Sequence, residues 1–454
     1  MTFCVENSQV KKYLLEGEFG LEKESLRVLE DGSFSHTPHP FPNDAHIVKD
    51  FCENQTEINT GVHDSARGAI DELESHNQRI YDRLQSLPQK EYLWLFSNPP
   101  HIKNDSDIPI AIFEGAEAKN RTYREYLGAK YGRYRMTFSG IHVNFSFSEK
   151  LLEEDFACHA VKGNQQKADR NTQNLEKADM QKSSDLSDGA FQEYKDRLYL
   201  DLAQGLAAYG WILVAVTAAS PVLDGSYLEK GVYGQDVFSG MGSVRCSELG
   251  YWNEFAPVFD YTDIESYADG IQRYVDRGFL TAPRELYYPI RLKPPGENTQ
   301  DSLRKNGVNH IELRMFDLNP LTRTGVEEKD ILFAQLLMVW LASTPRRPLT
   351  DRQQVQAVQN FKNAARYDLK TVRMVNAQGE TISVAKAAIE VIDQMKEFYR
   401  NLQIDVSDIL DFEYAKFIDA NNRYAWKIRE WFGTNYAEKA LKLAKERQDR
   451  STHV

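Results

Sequence analysis

Three pairs of polar residues in this chain have the types and spacing suited to binding metal ions and phosphate groups. The pairs are Glu22 and Glu24, His142 and Asn144, and Glu312 and Arg314. Residues two positions apart in an extended strand lie on the same face, ~6.6–6.8 Å from each other. Carboxylates at that distance could serve neighbouring hard cations such as Mg²⁺, which take oxygen ligands and keep positions open for phosphate oxygens. The pairs therefore predict a cleft lined by cation-binding groups, without naming a reaction.

Each pair lies in a segment whose polar and apolar residues alternate with a period of two, a pattern typical of a β-strand. The segments are residues 19–28, 139–147 and 310–316. We expect them to join one sheet that has an apolar face on the core and a polar face that is open. Glu22 and Glu24 would repel each other on the open face, and a bound cation would remove that repulsion.

Each pair also has a structural explanation, which is the commoner one for a pair taken alone. Glu22 and Glu24 could belong to a solvated charged face of the protein. His142 could be a histidine hydrogen-bonded within the sheet, and Glu312 and Arg314 could form a cross-strand pair. Spacing alone therefore leaves both a functional and a structural interpretation open.

Two further acidic residues, Asp50 and Glu57, lie seven positions apart. One straight strand cannot direct both side chains to the same face, since its side chains alternate with a period of two. A bulge, a bend or a helical turn between them would be required. Spacing alone therefore does not place these two residues together.

Arginine residues close to tyrosines suggest anionic ligands. They are Arg124 after Tyr123, Arg245 ahead of Tyr251, and Arg291 after Tyr287. The planar guanidinium group donates two parallel hydrogen bonds to a carboxylate or a phosphate. Each such arginine taken alone is more often part of a structural or surface ion pair. The chain contains neither a GxxxxGK[ST] loop nor a GxGxxG motif after a strand, so neither a P-loop nor a dinucleotide-binding site is supported.

The composition is that of an acidic globular protein, with 454 residues and a formal net charge of -12. This charge argues against nucleic-acid binding, which usually needs a basic face. The four cysteines show no metal-like or disulfide-like spacing, which favours a reducing cytoplasm, and the N-terminus lacks a signal pattern. The most apolar stretch, residues 205–220, is shorter than the ~18–20 residues of a membrane span, so we predict a buried core helix there.

Helical periodicity predicts most of the remaining elements. The predicted helices cover residues 65–87, 326–343 and much of the chain from Ser383 onward, including a charged, exposed and fraying helix at 436–450. Ser65 is a candidate N-cap for the first helix, and Pro345 lies just beyond the second. We expect a loop at 293–309. The polar stretch 159–189 is predicted to be either a mobile insertion or a pair of surface helices.

Six motifs occur in the order and spacing of a known family. They are FGLEKESLRV (19–28), KDFCENQTEINTG (49–61), SGIHVNFSF (139–147), VRCSELGY (244–251), ELYYPIR (285–291) and IELRMFDLNP (311–320). The chain resembles the bacterial glutamate–cysteine ligases, also called γ-glutamylcysteine synthetases, and is most similar to the ligase portion of bifunctional glutathione-synthesising enzymes. The resemblance extends from about residue 18 to 341 and is weaker beyond. The combination of motifs is specific, although no single motif is.

The resemblance implies an α+β, glutamine-synthetase-like fold with an antiparallel sheet that forms a funnel-shaped site. Helices would surround the sheet within one catalytic unit, with the sheet at about 13–345 and a helical C-terminal part at about 346–454. It implies an ADP-forming ligase that uses ATP and Mg²⁺, with Mn²⁺ able to substitute. This enzyme would join the γ-carboxylate of L-glutamate to the amine of L-cysteine through γ-glutamyl phosphate, as the first step of glutathione biosynthesis. It also implies a cytoplasmic enzyme without nucleic-acid or membrane partners, and it leaves open whether the protein is a monomer or a dimer.

The match to the family motifs also implies roles for individual residues. The metal-binding positions fall on Glu22, Glu24, Asp50, Glu57, His142 and Glu312. The positions that hold the amino acids fall on Tyr123, Asn144, Arg245, Tyr251 and Tyr287. Arg314 matches a position near the transferred phosphate and forms, with Glu312, the predicted catalytic pair. This set includes the residues that alternation placed on the polar strand faces. It adds Asp50 and Glu57, which spacing alone could not place.

Two features depart from the family pattern. Bifunctional relatives carry a further ATP-grasp domain that adds glycine, whereas this chain stops at Val454, so we expect only the first step of glutathione synthesis. Met136 stands where some relatives have a glutamine. Two other functions stay open: a ligase of the same fold with a different amine acceptor, and a catalytically inactive metal-binding relative.

Overall fold

The computed structural model describes residues 1–113, 118–170, 188–228 and 235–451. Its strands are β1 (Gly17–Leu29), β2 (Ile47–Lys49), β3 (Gln55–Asn59), β4 (Glu91–Leu93), β5 (Gly140–Phe147), β6 (Val222–Asp224), β7 (Asp236–Phe238), β8 (Ile290–Lys293), β9 (His310–Asp317), β10 (Arg373–Val375) and β11 (Thr381–Ser383). Its α-helices are α1 (Ser8–Tyr13), α2 (Ala66–Gln85), α3 (Ala118–Leu127), α4 (Glu149–Arg170), α5 (Asp188–Tyr209), α6 (Trp211–Thr217), α7 (Ile264–Asp276), α8 (Gln300–Asn306), α9 (Glu328–Ser343), α10 (Asp351–Ala364), α11 (Val384–Asn401), α12 (Ser407–Ile418), α13 (Tyr424–Phe432) and α14 (Tyr436–Ser451).

One antiparallel sheet organises the part of the fold that carries the predicted site residues. Its strand order is β2-β3-β1-β5-β9-β8, and β4 pairs with the C-terminal part of β1. The three segments predicted from alternation are its central strands β1, β5 and β9, so these three predictions are confirmed. The α+β class with an antiparallel sheet is confirmed as well.

The sheet has one apolar face, as the alternation predicted. Ile141, Val143 and Phe145 of β5 are buried, as are Leu21 of β1 and Leu313 of β9. Helix α2 packs against β1, α5 against β8 and α6 against β9. These helices cover the apolar face, which leaves the polar side chains of the same strands on the other face.

Two predicted helices form close to their expected limits. Ser65 accepts a hydrogen bond from the Gly68 backbone N–H at the start of α2, which confirms it as the N-cap. Helix α9 begins at Glu328, two residues later than predicted, and ends at Ser343. Its almost continuous burial explains why the sequence is apolar all around this helix.

Other expectations from the sequence need correction. Residues 293–309 are not only a loop, because they contain α8, whose N-cap Thr299 accepts from the Ser302 N–H. The helix at 436–450 is not simply exposed, because Tyr436 and two alanines of α14 are buried. Residues 205–220 are buried, but they form the end of α5 and a separate α6 with a break at Gly210. Most of the stretch 159–189 lies outside the described residues.

Among the described residues, no single helix is both long enough and apolar enough to cross a membrane. The bent pair α5 and α6, at 57° to each other, reaches that length and apolarity only when the two helices are taken together.

Candidate active site

The open face of the sheet gathers acidic residues from three strands. Glu22 on β1 is the register partner of His142 on β5, and Glu24 on β1 is the partner of Glu57 on β3. The pairing of β5 with β9 is irregular between Ile141 and Val143, so His142 has no partner residue on β9. Beyond this irregularity, Glu312 on β9 is the partner of Asn144 on β5. A local break in strand pairing of this kind often re-aims a side chain next to an active site. Antiparallel pairing therefore brings together groups that are nearly 300 residues apart in sequence.

Asp50 reaches the same face as Glu57 because the chain bends between β2 and β3. A bend of this kind was expected from the seven-residue spacing of the two acids. It lies just after β2, and its backbone N–H donates to Gln55 O at 3.2 Å, so the chain turns back before β3 begins. Arg124 donates from Nε to Asp50 O at 2.7 Å, and its Nη2 lies 3.6 Å from Asp50 Oδ1. The turn and the arginine hold Asp50 at the edge of the acidic group.

His142 and two carboxylates form the centre of the site. His142 Nδ1 lies 2.9 Å from Glu22 Oε2 and 3.4 Å from Glu312 Oε1. Arg314 donates from Nη1 to Glu312 Oε1 at 2.9 Å. Glu312 Oε2 is buried and accepts no hydrogen bond within the described part of the chain. Lys293 Nζ lies 3.6 Å from this oxygen. An acceptor left open in this way is available to a ligand.

Burial and mutual repulsion separate the carboxylates into two groups. Burial and the charge of nearby Asp50 raise the pKa of Glu57 well above its usual range, and the same two causes raise the pKa of Glu24. Burial acts in the same direction on Glu22 and Glu312. The hydrogen bond from His142 nevertheless lowers the pKa of Glu22, and the Arg314 guanidinium lowers the pKa of Glu312. Arg245 near Glu24 and Arg124 near Glu57 act in the opposite direction, but burial and Asp50 outweigh them.

Basic side chains also line the cavity. Arg245 lies against β5 at Gly140, where a Cβ atom would come within 2.2 Å of its guanidinium carbon, so a larger residue there would displace the guanidinium. Its Nη2 donates to Arg314 O at 3.0 Å, and its Nη1 donates to Phe316 O at 3.3 Å. Arg291 and Lys293 add two more basic side chains on β8. The cavity thus brings guanidinium groups and carboxylates close together.

Tyrosine side chains line a further part of the cavity, which we call the aromatic wall. Tyr123 lies under the Arg284 guanidinium, with 3.8 Å between the guanidinium carbon and the ring centroid, and Tyr131 packs edge-on against Tyr251 at 4.9 Å. Burial raises the pKa of Tyr123 to about 12 and raises the pKa values of Tyr251 and Tyr287 as well. These phenols are therefore protonated at neutral pH and available as hydrogen-bond donors.

Buried hydrogen bonds fix this aromatic wall. Glu285 accepts from Lys130 Nζ at 2.6 Å and from the Tyr131 hydroxyl at 2.8 Å. Asn253 donates to the Tyr131 hydroxyl at 3.0 Å and accepts from the Tyr287 backbone N–H at 2.7 Å. The network ties the segment after α3 to the loop that precedes β8.

The cavity encloses about 370 Å³, the size of a small-molecule site. The predicted site residues that line it are Glu22, Glu24, Asp50, Glu57, His142, Glu312, Arg314, Tyr123, Arg245, Tyr251 and Tyr287. Asn144 is the exception, since it lies beside the cavity and donates to Glu22 Oε1 at 2.9 Å. Met136 is part of the lining.

Sequence reasoning did not single out several lining residues. They include Arg135, Arg284, Trp252 and Phe138. All four lie in loops or in a short 3₁₀ segment, where no periodicity shows which way a side chain points. Tyr287 and Tyr288, which follow Arg284 in sequence, were the only available signal for that residue.

The sheet and its cavity define an α+β protein that presents clustered carboxylates and arginines on the open face of an antiparallel sheet. The chain belongs to the glutamate–cysteine ligase family, whose model matches residues 3–278 and 255–364. It is 32% identical over 408 residues to the glutathione biosynthesis bifunctional protein GshAB of Listeria innocua, covering 87% of this chain and 49% of that protein. It is 29% identical over 455 residues to GshAB of Clostridium perfringens, covering 97% of this chain and 54% of that protein. The chain thus spans about half the length of these curated relatives.

Two solved structures share the fold. The glutamate–cysteine ligase of Francisella tularensis in complex with AMP superimposes with a TM-score of 0.78 at 21% identity, covering 96% of this chain and 89% of that one. A bifunctional glutathione synthetase from Pasteurella multocida superimposes with a TM-score of 0.77 at 23% identity, covering 98% of this chain and 54% of that one. At these identities the likeness concerns the fold.

Proposed function

We propose that the protein catalyses the ATP-dependent ligation of the L-glutamate γ-carboxylate to the amine of L-cysteine, forming ADP and phosphate. The observation that carries this proposal is the cavity itself, which is lined both by carboxylates suited to cations and by arginines suited to phosphate and carboxylate groups. Membership of the glutamate–cysteine ligase family supports the choice of reaction. The names of the GshAB relatives support a place in glutathione biosynthesis.

The acidic side of the cavity fits Mg²⁺. Burial and repulsion by Asp50 oppose ionisation of Glu57, and Glu312 has an open buried oxygen, so a divalent cation would satisfy both. The residues that would hold it are Glu22, Glu24, Asp50, Glu57, His142 and Glu312. Bound Mg²⁺ would neutralise phosphate oxygens during transfer, and Mn²⁺, which accepts the same oxygen ligands, would substitute.

Arg314 has the position needed for phosphoryl transfer. Its guanidinium is fixed by Glu312 beside the acidic group, where it would stabilise charge on the transferred phosphate. In the first step a γ-carboxylate oxygen of glutamate attacks the terminal phosphorus of ATP, and ADP leaves. This step depends on positioning and charge neutralisation more than on a protein nucleophile. The AMP complex of the Francisella ligase supports a nucleotide as one ligand of this fold.

The tyrosine and arginine walls suit the two amino acids. Tyr123, Tyr251 and Tyr287 would donate hydrogen bonds to substrate carboxylates, with Arg245 supplying positive charge. In the second step the neutral amine of cysteine attacks the acyl carbon of γ-glutamyl phosphate. Phosphate leaves, and the amine loses a proton as the amide bond forms. Since the acceptor cysteine carries a free thiol, we place the reaction in the reducing cytoplasm.

A second candidate is a ligase that uses a different amine acceptor. Met136 favours it, because this residue lines the cavity where some relatives have a glutamine. A thioether cannot donate a hydrogen bond as an amide can, so the acceptor contacts at this position would differ.

The test is phosphate release from ATP in the presence of Mg²⁺ and glutamate across a panel of amines. We expect cysteine to stimulate release far more than alanine, glycine or 2-aminobutyrate, with the dipeptide confirmed by its mass. Stimulation by another amine alone would favour the second candidate. Absence of glutamate-dependent release with every amine would contradict both and leave an inactive metal-binding relative.

A further inference from the structure

Three histidines and one glutamate form a group outside the cavity, beside the edge strand β2. They are His46, which precedes β2, His63, which follows β3, and Glu72 and His76 of α2. None of these four described residues lines the cavity. One ring nitrogen of His46, one carboxylate oxygen of Glu72 and one ring nitrogen of His76 lie within 4.8 Å of one another. The fold therefore gathers three metal-ligating atoms around one point.

The Glu72 carboxylate has one anchored oxygen and one that faces the two imidazoles. Oε2 accepts from the Gly61 N–H at 2.8 Å and lies 2.5 Å from His63 Nε2. Oε1 lies 3.1 Å from His76 Nε2 and 4.0 Å from His46 Nδ1. Burial acts to raise the pKa of Glu72, but the hydrogen bonds from His63, Gly61 and His76 lower it overall, so the group is ionised at neutral pH. Hydrogen bonds of this kind orient carboxylates that bind metals.

The backbone positions the two imidazoles before any ligand binds. Glu72 and His76 are one turn apart on α2, a spacing that places both side chains on one face of the helix. The Asn59 N–H donates to His46 O at 2.7 Å, and His46 Nδ1 lies 2.9 Å from Asn59 O, so this ring is tied to β3. The rings of His46 and His76 are stacked, with 5.1 Å between their centroids and 20° between their planes.

The residue types and their spacing suit zinc. Zn²⁺ binds imidazole nitrogen and carboxylate oxygen at about 2.0–2.2 Å, so its tetrahedral ligands stand roughly 3.3–3.5 Å apart. Glu72 Oε1 and His76 Nε2 are 3.1 Å apart, close to this value. His46 is within 4.8 Å of both and its side chain is 45% exposed, so a rotation of this ring is sufficient to reach the same ion. Two imidazoles favour Zn²⁺ over Mg²⁺, which prefers oxygen ligands.

We propose that His46, Glu72 and His76 bind a zinc ion, while His63 orients the carboxylate of Glu72. Two nitrogens and one oxygen leave the fourth position of the ion for water. The ion links the start of the edge strand β2 to helix α2. This site is independent of the proposed ligase activity.

Arg79 competes with the ion for His76. Its Nη1 lies 2.9 Å from His76 Nδ1, and a guanidinium only donates, so neutral His76 carries its proton on Nε2, the nitrogen that faces Glu72. Zinc binding releases that proton and requires Arg79 to turn away. Arg79 is exposed and also pairs with Asp44, so its side chain moves without disturbing α2.

Crystallography tests the location directly. Crystals of the full chain soaked in zinc chloride should show an anomalous peak at the zinc edge, within ~2.0–2.2 Å of Glu72 Oε1, His76 Nε2 and a ring nitrogen of His46. Crystals of His76→Ala should lack this peak, while any zinc bound in the cavity remains. A wild-type map without the peak, or a peak that persists in His76→Ala, would overturn the proposal.

Competition with a chromophoric zinc chelator measures the affinity in solution, with excess Mg²⁺ present to limit zinc binding in the oxygen-rich cavity. His63→Ala should weaken zinc binding about tenfold, as for a group that supports a ligand. His46→Ala should weaken it by more than the ~10–100-fold typical of supporting groups. His46 is a suitable position because its partly exposed side chain can be truncated without opening the core.

Two further variants provide the controls. Arg79→Met should bind zinc several-fold more tightly than wild type, because it removes the donor that competes for His76. His36→Ala, at an exposed histidine outside the group, should bind zinc as wild type does. Equal zinc affinity and stoichiometry in wild type and His46→Ala would overturn the proposal, as would a loss of binding in Arg79→Met.

Discussion

Two buried groups of charged side chains in this molecule are built in opposite ways. Between α9 and α12, Lys416 lies 2.7 Å from Asp330 and 2.8 Å from Glu413, so one cation is enclosed by two acidic groups. In the cavity, Glu24 and Glu57 are direct partners across β1 and β3, and no lysine or arginine of the described residues lies in direct contact with either carboxylate. We call the first arrangement compensated, because a cation contacts both of its carboxylates, and the second uncompensated, because its two adjacent carboxylates have no such contact.

The difference distinguishes a structural cluster from a binding site. A compensated cluster gains nothing from a ligand, and removing one member leaves a buried charge alone. An uncompensated cluster loses stability in the free protein and regains it when a cation binds. Substitutions in the Lys416 cluster should therefore act on folding, whereas substitutions in the cavity should act on turnover.

The largest effect is expected for Glu312→Gln. The amide keeps the size of the side chain and an oxygen for Arg314, but it removes the charge of a proposed metal ligand. We expect kcat/KM to fall at least ~10³-fold, as for loss of a group that acts in the transition state. Tm should change by no more than about 2 °C. Steady-state kinetics and thermal unfolding measure the two effects.

Glu74→Gln is the matched control, because this glutamate pairs with Arg323 at the surface. It should leave both activity and Tm as in wild type. Normal turnover in Glu312→Gln would remove Glu312 from the site, and a large loss of Tm would place it with the structural clusters.

Lys416→Met should show the opposite pattern. The side chain is 1% exposed, so the change leaves Asp330 buried without its cation. We expect the free energy of unfolding to fall by about 3–5 kcal/mol. The kcat of the remaining folded protein should be unchanged. Urea unfolding and an active-site titration provide the two measurements.

The double variant Lys416→Met/Asp330→Asn separates charge from packing. It should recover part of the lost stability, since only one of the two stranded carboxylates, Glu413, then remains. No recovery would show that the methylene packing of Lys416, rather than its charge, holds this cluster together.

The sequence was sufficient to predict the strands in which polar and apolar residues alternate. Alternation in β1, β5 and β9 predicted that Glu22, Glu24, His142 and Glu312 share a face, because a period of two fixes side-chain direction without knowledge of the partner strand. It could not place Asp50, whose position depends on the turn between β2 and β3. The family motifs supplied that residue instead.

Long-range contacts explain what the sequence could not predict. Nothing in the local sequence around Glu285 indicates that it accepts hydrogen bonds from Lys130 and Tyr131, more than 150 residues earlier. Arg284 lines the cavity from a single 3₁₀ turn, Pro283–Glu285, which is too short to show a period. The same limit applies to α14, whose Tyr436 packs against Trp94 and Phe96 and donates from its hydroxyl to Asn98 O.

A smaller effect is expected for Asn144→Ala, which tests how the cavity orients its carboxylates. Asn144 donates to Glu22 Oε1 rather than lining the cavity. We therefore expect the Mg²⁺ concentration for half-maximal activity to rise about tenfold, as for groups that support metal ligands. The KM for glutamate should change less. Activity titrations with Mg²⁺ and with glutamate separate the two.

Ser146→Ala is the control for Asn144, since Ser146 supports Glu18 two positions along the same strand face. It should leave the Mg²⁺ requirement unchanged. A rise in the glutamate KM alone in Asn144→Ala would instead favour the direct substrate contact that the family motif implies.

The smallest effect is a gain in stability for Glu57→Gln in protein stripped of divalent cations. Burial and Asp50 raise the folded-state pKa of Glu57 above the ordinary value of 4.5. The folded state then binds more protons than the unfolded state, so its stability falls as pH rises above about 4.5 until Glu57 ionises. Glutamine removes this loss, and we expect a gain of roughly 1 kcal/mol at neutral pH.

Urea unfolding in EDTA at pH 4.5 and pH 7.5 checks the sign, because the advantage of Glu57→Gln should be smaller at the lower pH. Addition of Mg²⁺ should stabilise the wild type more than the variant, since only the wild type keeps the full set of carboxylates. Equal stability of the two proteins in EDTA at both pH values would show that the acidic side of the cavity is already compensated. The contrast with the Lys416 cluster would then fail, because both groups of charge would be balanced within the chain.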